Sequence, residues 1–201
     1  MNKRILSASI FLAVYLVFLA WYDGWGIAPL SMAEVEQMIS GVGAQTADPE
    51  QLENFRQMAR ADDGEEFFML NLNRYEYAEG EDTSGVPAAY ESYGQAVIGM
   101  ILRNAGHPIY SGDIPDYLLS GQRSDIWHEV ILVRYRSRRD FLTMVTSDEF
   151  QRLAQVRSGG IDFADVTPTR ANTNLTTPRS AVFILLLLIA LIVDRMLRTS
   201  Q

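Results

Sequence analysis

Phe67-Phe68-Met69-Leu70-Asn71-Leu72, residues 67–72, is a short and strongly apolar run that reads as a β-strand, and the rest of the middle of the chain is placed relative to it. Downstream, Pro87 to Ala105 carries Tyr90, Tyr93, Val97, Met100 and Ile101 at helical spacing and is closed by Gly106. His107 to Ser111 reads as a second strand, and Ile126 to Tyr135 as a third, centred on Val130-Ile131-Leu132-Val133. Ser137-Arg138-Arg139-Asp140 is a capping box for a helix through Phe141, Met144 and Val145, which restarts at Ser147 and runs through Phe150 and Leu153 to Gly159-Gly160. Ile161 to Val166 supplies a fourth strand. The order βαββαβ predicts an α+β, ferredoxin-like domain over residues 62–170.

Ahead of this domain, residues 23–61 form a helical lead-in. Ser31-Met32-Ala33-Glu34 is a capping box that opens a stripe at Val35, Met38, Ile39 and Val42. Asp48-Pro49-Glu50-Gln51 repeats the logic with proline at the first helical position, ahead of Leu52, Phe55 and Met58 or Ala59. Gly41, Gly43 and the polar run to Ala47 separate the two helices.

The resemblance of the central stretch to a known family rests on four groups of residues. These are Phe68-Met69-Leu70-Asn71-Leu72-Asn73-Arg74-Tyr75, the helix start Ala89-Tyr90-Glu91-Ser92-Tyr93, Trp127 ahead of a strand ending Val133-Arg134-Tyr135-Arg136-Ser137, and a helix with Phe141, Met144, Phe150-Gln151 and Arg157. Together they resemble the domain of unknown function 1330 (DUF1330) family of the dimeric α/β-barrel superfamily, over roughly residues 48–170. The resemblance implies a homodimer with two sheets packed face to face, and it implies no settled activity. His128 stands where that family commonly has an acidic residue, and Arg136 where it has a proline.

The two ends differ from the middle. Ile5 to Tyr22 is 18 residues without a charge, about 27 Å as a helix, with Trp21, Tyr22 and Trp25 at one end and Lys3 and Arg4 at the other. Phe18 spoils a small-x-small cleavage pattern at Ala20, so residues 1–22 are read as a retained transmembrane helix rather than a signal peptide. After a linker at 171–179, Ala181 to Val193 is nearly all Ile, Leu, Val, Phe or Ala and offers no polar face to water, so residues 180–198 are read as a second span. Lys3, Arg4, Arg195 and Arg198 then share one side, which places both termini in the cytoplasm and the central domain in the periplasm of a bacterial inner membrane.

The chain has 201 residues with 17 Lys+Arg against 25 Asp+Glu, a formal charge of −8. Residues 23–180 hold 13 of the cations and 24 of the acids, a charge of −11 that argues against a nucleic-acid partner. There is no cysteine, which removes thiolate chemistry and disulfides. No P-loop, dinucleotide fingerprint or Gly-x-Ser-x-Gly occurs, and two histidines, His107 and His128, fall short of a metal set. No cofactor and no metal are expected.

The candidate chemistry is therefore sparse. His128 is the candidate catalytic base, because imidazole titrates near neutrality. Asn71, Tyr90, Tyr93, Trp127 and Arg134 are candidates to line one ligand pocket between sheet and helices. Alternation places Trp127, Glu129, Ile131, Val133 and Tyr135 on one face of the third strand, and Asn71 and Asn73 on the face of Phe67 and Met69. Arg134, Arg136, Arg138 and Arg139 read as a solvated helix start partnered by Asp140. Asn174-Leu175-Thr176 matches a glycosylation sequon. The expected function is an accessory or interaction subunit of a membrane assembly, a homodimer or a partner of other membrane subunits, with a pocket for a small hydrophobic ligand. The alternative is a cofactor-independent oxidoreductase or isomerase acting on such a molecule.

Overall fold

The computed structural model describes residues 3–43, 48–117, 127–174 and 177–199. Ile126, the polar run at 44–47, the side chain of Val42 and two residues of the sequon, Leu175 and Thr176, lie outside the described residues. In chain order the elements are α1 (Lys3–Tyr22), α2 (Met32–Gly43), α3 (Pro49–Arg60), β1 (Phe67–Tyr75), α4 (Ala88–Arg103), β2 (His107–Asp113), β3 (Glu129–Tyr135), α5 (Arg138–Val145), α6 (Asp148–Ser158), β4 (Ile161–Thr169) and α7 (Pro178–Thr199). They form two units, residues 27–171 and the two ends of the chain.

In residues 27–171 the strands make one antiparallel sheet in the order β2-β3-β1-β4, the ferredoxin-like arrangement that βαββαβ predicts. The register sets Met69 opposite Val133, Asn71 opposite Ile131 and Asn73 opposite Glu129, with Val166 on the other side of Asn71. Period-two alternation then turns Phe67, Met69, Asn71, Asn73 and Tyr75 toward the helices, and Phe68, Leu70, Leu72 and Arg74 to the reverse face. β1 and β4 each run three residues beyond the apolar stretches read as strands, because Asn73 and Arg74 pair with neighbours as readily as leucines do; β3 begins at Glu129, not Ile126.

The core lies between this sheet and the helices. Phe67, Met69, Val133 and Tyr135 pack on Val97, Met100 and Ile101 of α4 and Leu142, Met144 and Val145 of α5, and the lead-in adds Val35, Ile39 and Ala59. Phe67 stacks on Tyr135 at 5.4 Å, and Phe141 meets both rings edge-on. The helix starts follow their caps. Glu34 N donates to Ser31 Oγ (3.3 Å) while Ser31 N donates to the Glu34 carboxylate (2.8 Å). Asp48, Ser137 and Ser147 cap α3, α5 and α6 by accepting from the backbone N–H of Glu50, Asp140 and Phe150.

At the end of α4 the left-handed residue is Ala105 (φ 53°) rather than Gly106. Gly106 is needed for space: a Cβ there would lie 2.9 Å from Ile101 Cγ2 and 3.0 Å from the Arg134 carbonyl. The arginine island is a lattice of ion pairs rather than a solvated face: Arg134–Glu66 at 2.9 Å, Arg136–Asp140 at 2.7 Å, Arg138–Asp63 at 3.3 Å and Arg139–Glu34 at 2.5 Å.

In the other unit α1 and α7 pair antiparallel. Arg4 bonds to Asp194, Tyr15 meets Phe183 at 5.2 Å, and Arg179 pairs with Asp23 at 2.6 Å. Among the described residues one helix, Arg4–Tyr22, is long and apolar enough to cross a membrane by length and composition. The expectation of a comparable span at each end is corrected to this extent: the uncharged run of α7, Ser180–Val193, stops after 14 residues at Asp194, and α7 does not qualify by itself.

Candidate functional site

A cleft of about 400 Å³ opens on the helix-side face of the sheet, between β1, β3, β4, α3, α4, α5 and α6. Phe55, Met69, Tyr93, Tyr135, Phe141, Val145 and Phe150 wall it. Its polar groups are Gln51, Asn71, Gln151 and Arg157. Ala154 and Val166 contribute little side-chain volume, which leaves the space, and Phe150, Ala154 and Arg157 share one stripe of α6 at helical spacing. Asn71 Nδ2 donates to the Met69 carbonyl (3.3 Å), Gln151 Nε2 donates to the Val145 carbonyl, and the Arg157 guanidinium lies 6.0 Å from the centre of the Tyr93 ring. Burial pushes the Tyr93 and Tyr135 phenols above their ordinary range, so both stay protonated donors at neutral pH.

Behind this cleft sits a closed polar cluster. Asn73, fully buried, donates to Tyr90 Oη (2.8 Å) and to Glu129 Oε2 (3.0 Å), and its Oδ1 accepts from Arg157 (3.3 Å). Glu129, 7% exposed, also accepts from Ser111 Oγ at 3.1 Å. The cross-strand pairing of Asn73 with Glu129 brings amide and carboxylate together. Burial first, and the Glu129 charge second, push the Tyr75 and Tyr90 phenols up. The buried Tyr75 hydroxyl faces the Glu129 carboxylate without reaching normal hydrogen-bond geometry.

The residues expected to line one pocket are spread over four places. Asn71 and Tyr93 line the cleft, and Tyr90 belongs to the polar cluster. Trp127 precedes β3, so strand alternation does not govern it; its ring packs on Phe163 at 4.9 Å, beside the Arg74 guanidinium. Arg134 is 1% exposed and bonds to Glu66 and the Ala105 carbonyl. It pairs opposite Phe68 on the reverse face, away from Asn71. His128 Nδ1 accepts the Tyr75 backbone N–H at 2.9 Å, which commits that lone pair and leaves the proton on Nε2.

Glu129, Gln151, Ala154 and Arg157 were not among the candidates. The helical spacing of Phe150, Ala154 and Arg157 was a usable signal for the last two, while the partnership of Asn73 with Glu129 needs the strand register. Among the described residues no cluster of three metal-ligating side chains occurs.

No family model and no curated protein matches the chain. Among solved structures, the RPA0582 protein of unknown function from Rhodopseudomonas palustris is similar, with 21% identity, 63% of this chain and 97% of that one covered, and a TM-score of 0.54. Its methylated form gives 23% identity, 65% and 97% coverage and a TM-score of 0.53. These two show the fold alone. SnoaB, a cofactor-independent oxygenase from Streptomyces nogalater, covers 56% of this chain and 98% of its own at 13% identity and a TM-score of 0.37, too distant to bear on chemistry.

Proposed function

We propose that this chain is a membrane-anchored accessory module whose α+β domain, of the DUF1330 and dimeric α/β-barrel type, holds a small hydrophobic molecule in the cleft for a membrane assembly. The observation that carries the reading is the make-up of the cleft. Its walls are aromatic and aliphatic, its polar groups are three amides, two phenols and a guanidinium, and Ser158, Asp162 and Asp165 enter only in the adjoining space that shares Gln51, Phe55, Met69, Phe141, Arg157 and Val166. Such a lining can select and orient a ligand, and no histidine stands in it or in the adjoining space to take a proton at neutral pH.

The anchoring is supported by the terminal helices. Arg4 and Asp23 are 19 residues apart, about 28 Å of helix and close to a hydrocarbon slab, while Arg179 and Asp194 are 15 apart, about 22 Å and several ångströms short of one. Between these ion-paired ends, Ile10, Leu12, Val14, Val17, Leu185, Leu188 and Ile192 are exposed. Asp194, bonded to Arg4 and Arg198, is not an isolated charge, which lowers the cost of placing α7 beside α1 in lipid. Lys3, Arg4, Arg195 and Arg198 at one end support cytoplasmic termini and a periplasmic domain. A second copy on the reverse sheet face is supported by Leu70, Leu72, Val130 and Leu132, apolar and only half-buried there.

The enzyme alternative, a cofactor-independent oxidoreductase or isomerase, draws on the buried Glu129 carboxylate behind the cleft. Native mass spectrometry of the full chain, extracted gently from its source membrane, separates the outcomes. The proposal predicts a non-covalent small-molecule adduct on the wild type that is lost in Val166→Trp, a filling of the cleft from a residue already 46% exposed and so tolerant of bulk. An empty wild type, or an adduct indifferent to Val166→Trp, contradicts it. Chemical conversion of the adduct that stops in Glu129→Gln moves the assignment to the enzyme.

A further inference from the structure

We infer that the cleft selects anionic ligands, a carboxylate carried on a flat hydrophobic ring, with the Arg157 guanidinium as its counter-charge. The inference rests on the binding reading above and adds the ligand's chemistry to it.

Residues 23–180 hold 24 acids against 13 cations, so an arginine in this stretch does not want for carboxylates. Of the eleven described arginines in residues 27–171, nine form an ion pair with Asp or Glu. Arg152 and Arg157 are the two that do not, and Arg152 is exposed and away from the cleft. Arg157 is half-buried on the cleft wall, stacked on Tyr93, and has one hydrogen bond, to the neutral Asn73 amide. Guanidinium carries five donors in a planar fork that matches a carboxylate with two parallel bonds. A partly desolvated cation that no carboxylate touches is costly, with Glu129 held one amide away by Asn73, and an incoming anion lowers that cost.

Asn71, also on the cleft, bonds through one N–H to its own strand and keeps its second N–H for an acceptor. The ring requirement comes from Phe150, on the same α6 stripe as Arg157, which meets Tyr93 edge-on at 6.5 Å within the cleft lining. The volume, about 400 Å³, suits a molecule of one or two fused rings.

The test is isothermal titration of the full chain in detergent micelles with 2-naphthoate and with neutral 2-naphthalenemethanol, each corrected for empty micelles. The acid is expected to bind at least about tenfold more tightly than the alcohol, the size of one charge-assisted hydrogen bond. Arg157→Gln is expected to abolish that preference, read as the ratio of the two affinities, and Arg152→Gln to leave the ratio at its wild-type value. Equal binding of acid and alcohol by the wild type, or an equal loss of both in Arg157→Gln, overturns the anion assignment while the pocket stands. Binding of neither probe overturns both. An Arg157 that only braces Tyr93 would lower the melting temperature of Arg157→Gln with the preference intact. Should that variant not fold, the wild-type preference and its retention in Arg157→Lys decide the matter.

Discussion

Asn73 joins the two halves of the site: its amide donates to Tyr90 and Glu129, accepts from Arg157, and has no exposed surface. Asn73→Leu keeps the volume and removes three bonds, leaving a buried carboxylate short of a donor. We expect a loss of about 3 kcal/mol in denaturant unfolding, against less than about 1 for Asn71→Leu at the rim; equal effects would mean that the cluster is not the support described. His128 tests the opposite point. Its Nδ1 serves as acceptor for Tyr75 N–H, so His128→Gln, which keeps an acceptor, is expected to shift stability by under about 1 kcal/mol and to leave naphthoate binding unchanged. Gly106→Ala drives a methyl into Ile101 and the Arg134 carbonyl, and a destabilisation of about 1–3 kcal/mol is expected from thermal melts.

At the scale of elements, local chemistry was legible and pairing was not. The capping residues Ser31, Asp48, Ser137 and Ser147 are found where the sequence put them, because a cap is decided within four residues. The strand order followed from the βαββαβ succession. Trp127 and Arg134 went to the wrong place because their surroundings depend on where β3 begins and which face it buries, and no local pattern states either. The cleft escaped for a related reason: it is bounded by seven elements that meet only in the fold. The cap of α2 also carries a pH dependence. The Arg139 guanidinium and then Ser31 hold the Glu34 carboxyl at about 2, below its ordinary 4.5. A depressed pKa stabilises the fold above the unfolded value and is lost as pH falls, here between about 4.5 and 2. Glu34→Gln is therefore expected to flatten the melting temperature against pH across that window, and a curve parallel to wild type would show that the contact contributes nothing to acid stability.

For the whole molecule, the proposed reading has the folded domain on one side of a membrane, paired with a second copy. The pairing predicts that Leu132→Glu, which puts a charge in the middle of the reverse sheet face, turns a dimer into a monomer in light scattering of the detergent-solubilised chain without loss of its melting transition; a monomeric wild type removes the dimer. Membrane anchoring with the domain outside is the claim on which the rest depends. Because the chain contains no cysteine, single-cysteine variants report one position each. The direct measurement is labelling of intact cells with a membrane-impermeant maleimide, comparing Ser84→Cys in the domain with Thr199→Cys beyond the second apolar run. The account predicts that Ser84→Cys reacts and that Thr199→Cys reacts only after the cells are opened; labelling of both positions in intact cells, or of neither until lysis, would contradict it.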